Sequence, residues 1–243
     1  MSNLQIFSMT DNAKMSVTRK AWAEVRGLET GAMITLGPNT ADRYLSDPKR
    51  IAFFLSRYKF AGKLLRDCKS IVDVGCGDGF GTLTFLSDTK ALSVLGVDFD
   101  EVLVSHAQTL RQELARLHPD KGDRISFQSR DVLTDGPPGV FSGLACLDVI
   151  EHIEPAEEMT FINTLAKSLD KDGIAVIGTP NVEARRYASP QSEIGHINNY
   201  DANRLRSSLS TAFRHVFIFS MNDEIVHTGF DKLAHYLIAL CVR

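Results

Sequence analysis

Four glycines at alternate positions, Gly75, Gly77, Gly79 and Gly81, follow directly on Ser70-Ile-Val-Asp-Val74. Alternating glycine lets the backbone take positive φ and lets a ligand lie against bare peptide N–H groups with no Cβ in the way. Downstream, acids and histidines fall in short clusters: Asp98-Phe99-Asp100, Asp131-Val132, Asp148-Val-Ile-Glu151-His152 and, 44 residues after His152, Gly195-His196. An acid 23 positions after Gly75 is placed to accept hydrogen bonds from the hydroxyls of a ribose. Imidazole is the side chain whose ordinary pKa suits proton abstraction near neutral pH. Two imidazoles beside carboxylates are also a donor set for a divalent cation.

The elements that must hold these groups can be read from periodicity. Ile71, Val72 and Val74 form a nearly continuous β-branched run, as in a parallel strand covered on both faces. A helix is expected over 80–86, its free N–H groups aimed at the ligand. A second strand over 91–97 ends at Asp98, and Asp100 caps a helix over 101–117. Strands follow over 124–128, 140–147 and 173–177, with the turn cluster Thr134-Asp-Gly-Pro-Pro-Gly139 before the second of these and a helix over 155–169 before the third. A long loop over 183–200, a helix over 201–209 and closing strands over 216–220 and 236–242 complete the chain. Towards the N-terminus, residues 1–18 read as loose, ordering over a bound ligand. A helix is expected over 21–34, a turn over 36–40, and a helix opened by Asp47-Pro48 whose apolar residues recur from Ile51 to Leu65. Arg50, Arg57, Tyr58 and Lys59 fall on that last helix.

The loop does not fit the nicotinamide fingerprint G-x-G-x-x-G: counted from Gly75 the third glycine is Phe80, and counted from Gly77 it is Thr82. Asp73-Val-Gly75-Cys-Gly77-Asp-Gly79 instead resembles the first motif of class I S-adenosylmethionine methyltransferases, an acid followed by x-G-x-G-x-G. The resemblance extends over residues 50–243. It implies an α/β, Rossmann-like fold with a seven-stranded, mostly parallel sheet, helices on both faces and an antiparallel last strand. The domain would span 67–243, preceded by an N-terminal segment and helical lid over 1–66. It further implies cofactor contacts from Asp73, Gly75, Cys76 and Gly77, ribose and adenine contacts from Asp98, Phe99, Asp131 and Val132, and Asp148 facing the same cleft.

Methyl transfer from a sulfonium needs the acceptor held in line behind the methyl group, and its leaving thioether needs no acid. A hydroxyl acceptor still needs a base or a metal. His152, just beyond the fourth strand, is the leading base, with Glu151 and His196 beside it as catalytic candidates. Asp148-x-x-Glu151-His152 also resembles the acid-x-x-Glu-His metal cluster of ubiquinone-pathway O-methyltransferases and of small-RNA 3′-terminal 2′-O-methyltransferases. The RNA enzymes carry a further histidine followed by an aromatic, for which His196 and Tyr200 stand here. By that resemblance Asp148, Glu151, His152 and His196 would hold Mg²⁺ or Mn²⁺, although Asp148 is a methylene shorter than the glutamate usual in those families.

Composition narrows the setting. The net charge of −3 divides unevenly, +6 over residues 1–69 and −9 over the rest, so the N-terminal stretch can attract an anionic substrate. Four cysteines without a C-x-x-C pair suggest neither zinc nor disulfides and fit a reducing cytoplasm. No segment reaches the length of a membrane span. The expectation is a cytoplasmic enzyme that O-methylates a small hydroxylated, anionic or sugar-like metabolite. A metal-dependent RNA 2′-O-methyltransferase is the alternative, opposed by the lack of an arginine-rich stripe. An inactive subunit that binds S-adenosylmethionine is a third class. Nothing in the pattern points to an oligomeric state.

Overall fold

A computed structural model of the chain describes residues 16–29, 31–136 and 139–243. The ordering expected of the first residues, up to residue 15, and the Pro137-Pro138 centre of the turn cluster lie outside the described residues. The chain divides into two compact units, Met1–Ile34 and Thr35–Arg243. The first contains α1 (Val17–Gly27), displaced towards the N-terminus from the helix expected over 21–34. Ser16 sets its start by accepting a hydrogen bond from the Arg19 backbone N–H.

In the second unit, α2 (Pro38–Ser46) stands where a turn was expected over 36–40, because Pro38 is pre-set for the first turn of a helix rather than for ending one. Gly37 brings no capping side chain. The cap comes from Asp78 in the glycine loop, whose carboxylate accepts from the Thr40 backbone N–H and hydroxyl, both at 2.8 Å. A Cβ on Gly37 would lie 2.3 Å from that of Asp78, so the close approach requires glycine. α3 (Lys49–Leu64) is the helix foreseen after Asp47-Pro48, and the Asp47 carboxylate accepts from the Lys49 N–H at 3.1 Å. α2 and α3 belong to the same compact unit as the sheet.

The remaining elements are β1 (Ser70–Val74), α4 (Phe85–Asp88), β2 (Ser93–Asp98), α5 (Glu101–Leu117), α6 (Pro119–Asp123), β3 (Ile125–Ser129), β4 (Phe141–Leu147), α7 (Glu158–Lys167), β5 (Leu169–Pro180), α8 (Pro190–Gly195), α9 (Ala202–Leu209), β6 (His215–Asn222), β7 (Ile225–His227) and β8 (Tyr236–Val242). The strands form one sheet in the order β3-β2-β1-β4-β5-β8-β6-β7. β1 to β5 run parallel, and β8 is antiparallel between β5 and β6. The sheet has eight strands where seven were expected. The addition is β7, three residues folded back on the end of β6, too short for any alternation to show in the sequence.

Each central strand feeds two cores. Ile71 packs with Tyr58 and Ala61 of α3 and with Val104 and Ala107 of α5; Val72 and Val74 pack on the other face with Phe161 and Ile162 of α7 and Leu205 of α9. Burial on both faces is why β1 reads as a continuous apolar run. The helix expected over 80–86 is a 3-10 turn, Thr82–Thr84, that runs on into α4. The loop expected over 183–200 contains a 3-10 turn, Val182–Tyr187, and α8. All four cysteines are buried and free. Among the described residues no helix is long and apolar enough to cross a membrane.

Strand order reverses between β1 and β4, so the loops that follow them part to opposite sides and open a crevice at their carboxyl ends. The Asp78 bond holds α2 over that crevice. Replacing Asp78 by alanine removes charge-assisted bonds worth roughly 1.5–3 kcal/mol, so amide hydrogen exchange across α2 should rise about tenfold or more while β1 and β4 keep their rates. Unchanged exchange in α2 would show that Asp78 does not hold it.

Candidate active site

The crevice encloses about 780 Å³ and is floored by the glycine loop. Gly75 and Cys76 donate backbone N–H bonds to the Val97 carbonyl at 2.8 and 3.1 Å, which folds the loop over the end of β2. Gly75 has φ +77, and a Cβ there would meet Val149 Cγ2 at 2.2 Å, so glycine is required on both counts. Asp98 fastens the turn from the other side: Oδ2 accepts from the Gly77 N–H at 2.8 Å and Oδ1 from the Asp100 N–H at 3.0 Å. A carboxylate has about four acceptor positions, so Asp98 keeps two for a ligand. Asp100 caps α5 as expected, accepting from the N–H groups of Val102 and Leu103.

The other expected cofactor residues divide. Phe99 stands on the cleft rim, 77% exposed, and presents an aromatic face there. Asp131 also lines the cleft, while one of its oxygens closes a turn by accepting from the Leu133 N–H at 2.9 Å. Val132 is buried in the core beneath it. Cys76 lines the cleft, yet its side chain is buried. Asp73 is a correction: it is fully buried under the loop and does not line the cleft. Its Oδ2 accepts from the Thr82 hydroxyl at 2.6 Å, which ties β1 to the 3-10 turn, and among the described residues its Oδ1 has no hydrogen-bond partner. Burial pushes its pKa up to about 7.

Across the cleft, at the end of β4, Asp148 adopts φ +60, a left-handed conformation in which Asp is tolerated. Arg57 Nη1 donates to both of its oxygens at 2.9 and 2.8 Å, and the guanidinium stacks on the Tyr236 ring at 3.9 Å. Burial alone would raise the pKa of Asp148, but the Arg57 and Arg43 guanidiniums outweigh it and hold the carboxyl below its ordinary value. Glu151 is 1% exposed; its Oε2 accepts from the Thr179 hydroxyl at 3.1 Å, and among the described residues its Oε1 has no hydrogen-bond partner. Burial, reinforced by the Asp148 charge, raises Glu151 to about 8.

His152 follows on a 3-10 turn, Ile150–His152. Its Nδ1 lies 2.8 Å from the Gly195 carbonyl, which can only accept, so Nδ1 carries the hydrogen and Nε2 is the basic nitrogen. The His196 ring meets His152 edge to face, centroids 5.0 Å apart. Burial, then the neighbouring His152, lowers the pKa of His196. Donor atoms of Glu151, His152 and His196 come within 4.8 Å of one another. Asp148, expected as a fourth metal ligand, does not join them; it is spent on Arg57.

Gly195 and His196 are held in turn by a polar network that the sequence did not reveal. Asn198 donates to Glu158 at 2.9 Å and to the Tyr200 hydroxyl at 2.8 Å, and Arg204 pairs with Glu158 at 2.6 Å, with the Asn199 carbonyl and with Asn198. The Asn198 N–H also donates to the Glu151 carbonyl at 3.0 Å, joining the loop to the acid cluster. Tyr200, read as a site aromatic, is fully buried as a support. Arg57 did leave a trace: it interrupts the apolar stripe Phe54, Tyr58 and Ala61 of α3, and an arginine on a packed stripe calls for an acid.

A family model described as a methyltransferase domain matches residues 45–216. The ubiquinone biosynthesis O-methyltransferase of Methylococcus capsulatus is 27% identical over 54% of this chain and 56% of its own length. That of Idiomarina loihiensis is 31% identical over 46% and 43%. The chain spans about half the length of the curated relatives it matches. Among solved structures, the methyltransferase domain of bacterial CtHen1-C superposes with a TM-score of 0.66 at 16% identity, covering 78% of this chain and 98% of that one. The N-methyltransferase NodS of Bradyrhizobium japonicum, in complex with S-adenosylhomocysteine, gives 0.59 at 17%, covering 83% and 90%. These structural likenesses show the fold alone.

The buried Asp73 yields a pH test. Its folded pKa of about 7 exceeds the value near 3.9 of an unfolded Asp, so between these pH values the folded chain holds a proton that the unfolded chain has lost. Its contribution to stability is complete below about pH 4 and is lost as pH rises through about 7. Asp73→Asn lacks that loss, so the Tm of the variant relative to wild type should climb between pH 5 and 8. A difference that stays flat with pH would count against the buried proton.

Proposed function

The chain belongs to the methyltransferase-domain family, and from that premise we propose that it is an S-adenosylmethionine-dependent O-methyltransferase of a small hydroxylated metabolite, with His152 as general base. The observation that carries the choice of base is the Nδ1 bond of His152 to the Gly195 carbonyl, which leaves Nε2 free to take a proton. The relatives named ubiquinone biosynthesis O-methyltransferase support an oxygen acceptor. The cleft residues fit the cofactor: bare backbone at Gly75 and Gly77, spare acceptor positions on Asp98 and an exposed ring at Phe99 meet a nucleoside.

When bound, S-adenosylmethionine supplies an electrophilic methyl group, and its transfer leaves a neutral thioether. The chain's own residues do the remainder. The glycine loop, Asp98 and Phe99 orient the nucleoside, with Asp131 and the Val132 peptide offered to the base. His152 Nε2 accepts the acceptor's hydroxyl proton as the new oxygen–carbon bond forms. The raised pKa of Glu151 keeps it neutral beside the imidazole at neutral pH, and the lowered pKa of His196 keeps that ring uncharged. α2 and α3 cover the cleft and limit water.

A second reading, metal-assisted methylation of an RNA 2′-hydroxyl, is favoured by one observation, the close approach of Glu151, His152 and His196 donor atoms. That set would suit Mn²⁺ better than Mg²⁺, because two of three donors are imidazoles. It is one ligand short of the four expected, since Arg57 holds Asp148.

His152→Ala should bind S-adenosylhomocysteine with wild-type affinity in calorimetry and lose roughly 100-fold or more in kcat. Wild-type turnover in that variant would reject His152 as base. Methyl label from S-adenosylmethionine should enter the small-molecule fraction of a cell extract with or without chelator; label in RNA that a chelator abolishes would make the second reading correct.

A further inference from the structure

Beyond His196 a second, smaller cavity of about 260 Å³ opens, and it shares Arg50, Pro180, Ser192 and His196 with the cofactor cleft. It is therefore reached from the same reacting centre. Its own walls come from the 3-10 turn Val182–Tyr187, from α8 and from the approach to β8.

Two guanidiniums converge on this cavity from segments remote in sequence, Arg50 in the first turn of α3 and Arg185 in the 3-10 turn. Neither forms an ion pair among the described residues. Among the described residues Arg50 reaches only the Ser46 hydroxyl, at 3.2 Å, and the side chain of Arg185 makes no hydrogen bond. Glu193 is the single carboxylate on the wall. Like charges facing one concave space repel each other and focus a positive field there, an arrangement that an incoming anion relieves. Guanidinium is also the group best shaped to grip an oxyanion with two parallel bonds. The Tyr187 ring also lines the cavity, edge to face with His235 at 5.6 Å and with the Arg186 guanidinium stacked on it at 4.7 Å.

Resting on the methyltransferase reading above, we infer that this cavity is the acceptor subsite and that the acceptor is a small molecule carrying an oxyanion, a carboxylate or a phosphate, seated between Arg50 and Arg185 with its reacting hydroxyl turned back to His152. The volume lies just under the ~300–1,000 Å³ of typical small-molecule sites, so it takes a metabolite-sized group. The chemistry here is recognition alone: Arg185 lines only the smaller cavity, remote from the glycine loop, and sets which acceptor enters.

The test uses the full chain loaded with S-adenosylhomocysteine and titrated by calorimetry with two probes, inorganic phosphate and benzoate. At least one should bind, and which one does identifies the oxyanion. Arg185→Gln should weaken that binding about tenfold or more and leave S-adenosylhomocysteine affinity unchanged; Arg50→Gln added to it should abolish anion binding. A protein that binds S-adenosylhomocysteine but neither anion, or whose anion affinity survives Arg185→Gln, overturns the inference and leaves the methyltransferase reading standing. Failure to bind S-adenosylhomocysteine at all overturns that reading instead. Methyl label recovered in RNA overturns the small-molecule occupant.

Discussion

Negative charge taken out of water at the carboxyl ends of three neighbouring strands is the constraint on which the rest of the unit depends. β1, β2 and β4 deliver Asp73, Asp98 and Asp148 to one edge of the sheet, and Glu151 follows one turn later. Isolated buried carboxylates are too costly to keep, so each must find protons, donors or a countercharge. Three kinds of solution appear side by side. Asp73 takes the Thr82 hydroxyl and a raised pKa; Asp98 takes two backbone N–H groups; Asp148 takes Arg57; Glu151 takes the Thr179 hydroxyl and a raised pKa.

Those solutions shape the fold around them. Because Asp148 needs Arg57, α3 is fixed across the end of β4, with its guanidinium sandwiched between the carboxylate and Tyr236 of β8. Because Asp98 needs the Gly77 N–H, the glycine loop is locked at the height where its backbone is open to the cleft. Asp78 repeats the principle one residue further, with its carboxylate turned to the end of α2. α2 is thus attached through the same loop that floors the cofactor cleft, which couples binding there to the order of that helix.

The histidine pair sits on the opposite logic, support from backbone rather than from charge. The Gly195 carbonyl chooses the tautomer of His152, and the Asn198, Glu158, Tyr200 and Arg204 network holds the segment that carries Gly195. A base oriented by a carbonyl gains direction without a permanent negative partner.

Much of this was legible in the chain because it is local. The apolar run of β1, the alternation of glycines, the Asp100 cap and the acid at the end of β2 are each decided within a few residues by sterics, φ preference or a short hydrogen bond, so the family resemblance and the cofactor cleft follow from them. What the sequence could not decide is which acid meets which partner. Arg57 reaches Asp148 across 91 residues and Thr40 reaches Asp78 across 38. The turn expected at Pro38 became α2, which Pro38 starts and a distant carboxylate caps. Asp73 looked like a ligand contact and became a buried anchor, and Asp148 looked like a metal ligand and became half of an ion pair. Type and spacing determined that the site would be acidic, glycine-lined and supplied with imidazole. Only tertiary packing, which sets desolvation and the distance to each countercharge, decided which of those groups stay open for chemistry.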